Sequence, residues 1–172
     1  MHPVKFLPLH LHTHYSLLDG LSKPSEVAER CEELGYDSCA VTDHGTISGA
    51  VSFVRAMREK NIKPILGCEF YLAQQEATVK DKTNRTLSHL VVLAKNKQGW
   101  DCLIELVSRS NKDDVFYFKP RIDLDILEEH NTDKNLVSFS GHPGSDLANV
   151  LFTDWKRAYS CDTYEEAQAL LK

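Results

Sequence analysis

Short apolar runs alternate with amphipathic segments along the first half of the chain, and no other feature restricts the fold as much. A chain written this way builds repeated strand-helix units around one sheet. Residues 5–12 predict a first strand. Pro24 stands where a first helical turn tolerates proline, and Val27, Ala28, Cys31 and Leu34 recur at helical spacing until Gly35 stops the helix. Residues 38–42 predict a second strand and Asp43-His44-Gly45 a turn, followed by a helix over 47–60 carrying Val51, Val54 and Met57. Further strands are expected over 64–73, 90–94 and 136–140. A helix should run through Trp100, Leu103, Leu106 and Val107, a short one over 123–130, and closing helices over 145–151 and 163–171. The polar, aperiodic stretch 74–88 reads as an excursion of the kind that borders a site. This parallel strand-helix count implies an α/β barrel or an open α/β sheet.

With 172 residues, 42% of them hydrophobic, the chain can bury one core and is read as one domain or part of one. It contains no apolar run of about 18 residues, and Met1-His2-Pro3-Val4-Lys5 lacks the apolar stretch of a signal peptide. A cytoplasmic location with no membrane partner is therefore expected. The five cysteines (Cys31, Cys39, Cys68, Cys102 and Cys161) show no CxxC spacing, which suits reduced, mostly buried thiols and excludes a cysteine-rich zinc finger. A formal net charge of -5 argues against gripping nucleic acid through the overall field, so any DNA contact must be weak, local or borrowed. Local basic candidates are Lys80, Lys82 and Arg85, then Lys95 and Lys97, then Lys119 and Arg121. Each taken alone reads first as an ordinary solvated charge.

The chemistry concentrates in Leu9-His10-Leu11-His12-Thr13-His14. Alternate side chains of a strand share a face, so His10 and His12 project together and can hold one metal ion, and His14 has the same parity. Three surface histidines on an edge strand are the competing reading, which the apolar neighbours disfavour. Asp19-Gly20 follows the first strand and Asp43-His44-Gly45 the second, where loops of α/β folds converge on a site. Read alone, the first is also a common turn and the second a helix cap.

Glu69 stands mid-strand in Ile65-Leu66-Gly67-Cys68-Glu69-Phe70-Tyr71-Leu72, where an unpaired carboxylate would be costly to bury. It needs a cation or a partner. By alternation it shares a face with Gly67 while Cys68 packs on the other side. His142, in Ser140-Gly141-His142-Pro143-Gly144, obeys the convergence rule because it follows a strand. His89 does not: it opens its predicted strand, and spacing gives no independent reason to place it in a site. His2 and His130 read as terminal and surface residues.

The segments HLHTHYSLLDG, AVTDHG, KPILGCEFYLA, SHLVVLAKN, FYFKPRID and LVSFSGH, in this order, closely resemble the PHP (polymerase and histidinol phosphatase) domain that opens bacterial and bacteriophage DNA polymerase III alpha subunits. The resemblance runs from about Phe6 to Leu171, and LLDG, AKN and FYxKPRID belong to the polymerase branch. It implies a distorted (β/α)7 barrel with up to three divalent transition metals, zinc, manganese or iron, at the strand ends. By motif, His10 and His12 with Glu69 would hold one metal, and Glu69 would bridge to a second held by His89 and His142. Asp19 and His44 would hold a third. Glu69, His12 and His44 would be the catalytic residues. His14 falls where the family has no ligand. His142 stands where many polymerase members have cysteine and where histidine is the commoner choice among PHP phosphoesterases. The family's C-terminal Asp-x-His motif has no counterpart in 144–172, so residues 1–172 are expected to form the N-terminal part of the domain, with the barrel incomplete at its C-terminus.

The activity so implied is metal-assisted hydrolysis of a phosphate ester, in the polymerase setting a 3′→5′ exonuclease on DNA ends, with other polymerase domains and replication proteins as partners. Polymerisation itself is excluded, because the palm domain is not in this chain. The alternatives are a stand-alone phosphatase on a small phosphate ester and an inactive, metal-stabilised docking module.

Overall fold

The computed structural model describes residues 6–141 and 143–148. Its elements run α1 (Pro24–Glu33), β1 (Ser38–Val41), α2 (Ala50–Glu59), β2 (Lys63–Ala73), a 3-10 turn (Lys82–Asn84), β3 (Leu87–Ala94), α3 (Lys97–Ser110), β4 (Arg121–Ile122), α4 (Leu124–Glu129) and β5 (Leu136–Phe139). The class is mixed α/β. Among the described residues no helix is long and apolar enough to cross a membrane.

β2 organises the sheet. Along one edge it pairs in parallel with β1, and the register that sets Ser38 opposite Lys63 continues until His44 lies opposite Glu69. β4 then joins at Tyr71 and Leu72, again in parallel. β3 takes the other edge antiparallel, and β5 pairs antiparallel with β3. The purely parallel arrangement expected from the strand-helix alternation is thus corrected, because the long connection over 74–86 carries the chain to its neighbour without a crossover helix. An antiparallel neighbour begins where β2 ends, so the first residues of β3 lie at the end of the sheet where the loops after β1 and β2 gather.

Alternation along the strands sorts two layers. Cys39 and Val41 of β1 pack with Val27, Cys31, Phe53 and Met57 of α1 and α2, while Cys68, Phe70 and Leu72 of β2 pack with Leu103 and Leu106 of α3 and Ile126 of α4. The opposite face carries Ala40, Val91 and Leu93. On it Glu69 lies opposite Val91, and Tyr71 opposite His89. The buried stripe of α2 is Ala50, Phe53 and Met57 rather than the expected Val51, Val54 and Met57, and Val51 is exposed. Rotating the stripe by one position still satisfies helical spacing, so composition alone does not choose between them.

Residues 8–12, expected as part of a strand, run beside β1 without entering its ladder. Ala40 N donates to Pro8 O and Thr42 N to Leu11 O, both at 2.9 Å. Three residues on one side thus span two on the other, a bulge that leaves Leu11 N to donate to Thr42 Oγ1 at 3.0 Å. Proline at position 8 has no N–H to give back. The expected closing helices fall mostly beyond the described residues, as does Cys161; Cys31, Cys39 and Cys68 are buried free thiols and Cys102 is partly buried.

The excursion after β2 is ordered by polar groups. Asn84, fully buried, donates through Nδ2 to Glu76 O and Val79 O and accepts from Gln75 N. The Arg121 guanidinium, also fully buried, donates to the carbonyls of Val115, Asn84, Ala77 and Val79 at 2.7–2.9 Å. Arg121 is therefore a structural anchor and not a DNA contact. Other basic candidates are engaged as well: Lys80 with Asp113 O, Lys95 with Lys134 O and Lys97 with Asp101. Replacing Arg121 with Met strands the buried carbonyls of Val115, Asn84 and Ala77, while Val79 O keeps its bond from Asn84 Nδ2, and the expected loss is about 3 kcal/mol. Urea unfolding checks this as a lowered midpoint at unchanged slope.

Candidate metal centre

Two strand ends, one extended segment and the loop that follows it bring the candidate side chains together around Glu69, which is fully buried. His10 and His12 reach it from the segment beside β1. Their Nε2 atoms lie 3.1 Å apart, His10 Nε2 is in hydrogen-bond contact with Glu69 Oε2, and His12 Nε2 is 3.0 Å from the same oxygen. The other oxygen faces the opposite way: Glu69 Oε1 is 2.6 Å from His89 Nδ1 and 3.9 Å from His44 Nδ1. One carboxylate thus divides its two oxygens between two histidine groups.

His44 continues the arrangement outward. Its Nε2 is 3.0 Å from Asp19 Oδ2, and its ring stacks on His12 with centroids 4.1 Å apart. Tyr71 lies nearly parallel to the His44 ring, its centroid 5.8 Å away, so His12, His44 and Tyr71 form a short column. Three sets of ligand-type atoms are close enough to share an ion: His10, His12 and Glu69; His12, Asp19 and His44; and His44, Glu69 and His89.

The electrostatics suit cation binding. Burial alone would raise the Glu69 pKa, but hydrogen bonds with His10, His12 and His89 outweigh it and hold the carboxyl well below the usual carboxylate range. Burial lowers His12, yet its bond to Glu69 and the nearby negative charge leave it above its ordinary value. His44 is pushed down, first by burial and then by the neighbouring His12. Among the described residues, His44 Nδ1 is a buried ring nitrogen without a hydrogen-bond partner. Such an orphan costs about 1–3 kcal/mol. A divalent ion beside Glu69 Oε1 would relieve it, and a mixed imidazole and carboxylate donor set fits zinc, manganese or iron.

Asp43 holds these pieces in register. It is buried and accepts from Thr13 N at 2.6 Å, Thr13 Oγ1 at 2.8 Å and Ser16 Oγ at 2.8 Å. Ser16 Oγ in turn accepts from His44 N at 3.0 Å, and the Asp43 carbonyl accepts from Glu69 N at 3.1 Å. The loop that carries Asp19 can close only over a glycine, since a Cβ at Gly20 would lie 1.8 Å from Thr13 O. Sequence reasoning placed Asp43 among the residues that converge on a site, with a helix cap as its alternative, but assigned it no partners and gave Thr13 and Ser16 no role.

His14 shares the parity of His10 and His12 but not their face. The chain turns at this point, and the ring is exposed against Tyr15. His89, which lacked a spacing argument, belongs to the cluster because β3 is antiparallel and starts there. His130 is tied to Ile126 O and stands apart from the cluster. His2 and His142 lie outside the described residues, although Gly144 O accepts from His89 N at 3.0 Å and so brings the chain after β5 beside the cluster.

A partial α/β barrel whose histidines and carboxylates are gathered so that they could hold metal ions defines the class, and comparison with known proteins gives its family. The PHP domain matches residues 8–172, and the chain belongs to that family. Curated relatives include the DNA polymerase III subunit alpha of Helicobacter pylori, 37% identical over 167 residues, covering 96% of this chain and 14% of the relative. The same subunit of Borreliella burgdorferi is 39% identical over 177 residues, covering 95% and 15%. The chain thus spans about a seventh of the length of these relatives. Among solved structures, a candidate metal-dependent phosphoesterase from Bifidobacterium adolescentis shares the fold, with a TM-score of 0.52 at 16% identity over 98% of this chain and 74% of that one.

Replacing Asp43 with Ala leaves a buried Thr13 N–H and two hydroxyls without their acceptor. Hydrogen bonds to a charged group contribute about 1.5–3 kcal/mol each, so a destabilisation of about 3 kcal/mol is expected from denaturant midpoints.

Proposed function

We propose that this chain is the PHP domain of a replicative polymerase alpha-type subunit and that its cluster hydrolyses phosphate esters, in that setting removing nucleotides from DNA 3′ ends. The observation that carries the reading is the division of the Glu69 oxygens between the His10/His12 pair and the His89/His44 pair. A phosphate ester cleaved by water needs an activated nucleophile and compensation for charge on the phosphate and the leaving oxygen. Divalent ions, when bound, supply both by lowering the pKa of a water and by neutralising negative charge.

The ligand assignment is part of the proposal. His10, His12 and Glu69 form one site, Glu69 and His89 with His142 a second, and Asp19 with His44 a third. His44 Nδ1 also faces the Glu69/His89 group, so this ring stands between the second and third sites. Glu69, His12 and His44 are the catalytic residues of the reading. Their role is to fix the reacting groups: Glu69 supplies one negative charge to two sites, and stacking of His12 on His44 holds both rings at one orientation. In the reaction a bond forms between water oxygen and phosphorus and the bond from phosphorus to the 3′ oxygen breaks. One water proton ends on that oxygen.

The net charge of -5 offers little attraction for a polyanion, so DNA is bound weakly without the other polymerase domains and replication proteins. Binding of single-stranded DNA to this chain should be weak at low salt and fall further as salt rises.

The test is hydrolysis of bis-p-nitrophenyl phosphate by manganese- or zinc-loaded chain, followed by p-nitrophenol release. Activity should vanish with a chelator. Glu69→Gln should lower it by at least about 100-fold while reducing metal content in elemental analysis, because two sites lose a ligand. His44→Ala should lower metal content less. Metal-loaded protein that cleaves neither the diester nor single-stranded DNA would make the cluster structural and the domain a docking module.

A further inference from the structure

Beside His44 the surface opens into a cavity of about 930 Å³ whose walls include Tyr15, Leu17, His44, Tyr71, Phe118 and Lys119. Two of these residues are placed against ordinary folding preferences. Leu17 is 84% exposed, and Phe118 is 67% exposed at a φ of 61°, a left-handed conformation that a bulky residue adopts only when its surroundings impose it. Those surroundings are visible. Tyr117 and Lys119 pair across Phe118 as an isolated bridge, the Tyr117 ring lies 4.6 Å from the Phe118 ring, and the buried Arg121 anchors the chain two residues on. The Arg85 guanidinium lies 4.7 Å from the Phe118 ring centroid. Lys119 Nζ sits 4.2 Å above the Tyr71 ring, whose neighbours are His44 and His89.

We propose that this cleft is the subsite for an unpaired nucleobase, that of the terminal nucleotide whose phosphate lies at the Glu69 cluster, with Phe118 and Leu17 covering the base and Lys119 contacting phosphate. The proposal rests on the phosphoesterase reading and specifies its substrate class. An ester held at His44 directs its substituent into the cleft, because the same ring belongs to both. The volume lies within the range of small-ligand sites. The exposed Phe118 ring beside a lysine suits a π face carrying a phosphate, and stacking of this kind accepts any base. A saturated sugar phosphate would leave the rings uncovered, and a base within a duplex has its faces already stacked. The substrate end must therefore be single-stranded or frayed.

Calorimetric titration of the chain, with and without manganese, compares thymidine 5′-monophosphate with ribose 5-phosphate. The nucleotide should bind at least about tenfold more tightly. Phe118→Ala should abolish that preference and Phe118→Trp should keep it. Phe118→Gly, which suits the observed φ, serves as a second ring deletion if the alanine variant unfolds. Equal affinities for the two ligands, or a preference that survives both ring deletions, would overturn the subsite. Hydrolysis of bis-p-nitrophenyl phosphate by the same preparation separates the two claims. Hydrolysis without nucleotide preference removes the subsite alone, whereas preference with hydrolysis of neither the diester nor single-stranded DNA keeps a nucleotide site and removes the phosphoesterase reading.

Discussion

A carboxylate in the middle of a buried strand is the constraint on which the rest of the structure depends. Glu69 sits in β2 between Cys68 and Phe70, both fully buried, and is itself shut off from solvent. Without donors its charge would be expelled or neutralised. The fold answers by delivering an imidazole from each side: His10 and His12 from the segment along β1, His44 from the loop that extends the β1 register, and His89 from β3. Each delivery depends on a backbone relationship rather than on a contact of convenience. Continuity of register sets His44 opposite Glu69, and the antiparallel sense of β3 sets His89 opposite Tyr71.

Much of this was legible because strand alternation has a fixed period. The face of Glu69, the packing of Cys68 against the helices and the pairing of His10 with His12 all follow from counting in twos. The same counting failed at His14, where the chain turns after Thr13 and parity stops meaning anything. His89 was obscured for a different reason. The convergence of loops at strand ends assumes parallel neighbours, and strand direction is set by the length and path of a connection that carries no periodic signal. Resemblance to a family placed His89 where local reasoning did not.

The partners of Asp43 and Arg121 were illegible for a shared physical reason. Both work through groups that a sequence does not distinguish: backbone N–H and carbonyl groups, and hydroxyls left over by an irregular chain. Asp43 looked like a cap because capping is what an acid at the end of a loop usually does. Arg121 looked like a surface cation because a guanidinium is rarely buried without a carboxylate. Only the path of the excursion over 74–86, which presents the Ala77, Val79 and Asn84 carbonyls to one point, shows what Arg121 satisfies, and only the turn after Thr13 shows what Asp43 satisfies.

The anchor at Arg121 also separates two properties of the molecule. A guanidinium stays protonated at any pH at which a protein survives, and carbonyl acceptors do not titrate. The loop carrying Phe118 is thus held by a contact indifferent to acidity, while across the cleft burial and neighbouring charge push the ionisation of His44 down and hold that of His12 up. Shape and charge are consequently under independent control in neighbouring parts of one surface. The Phe118 wall of the cleft keeps its contour whatever the acidity, and the electrostatic character of the wall facing it follows the medium.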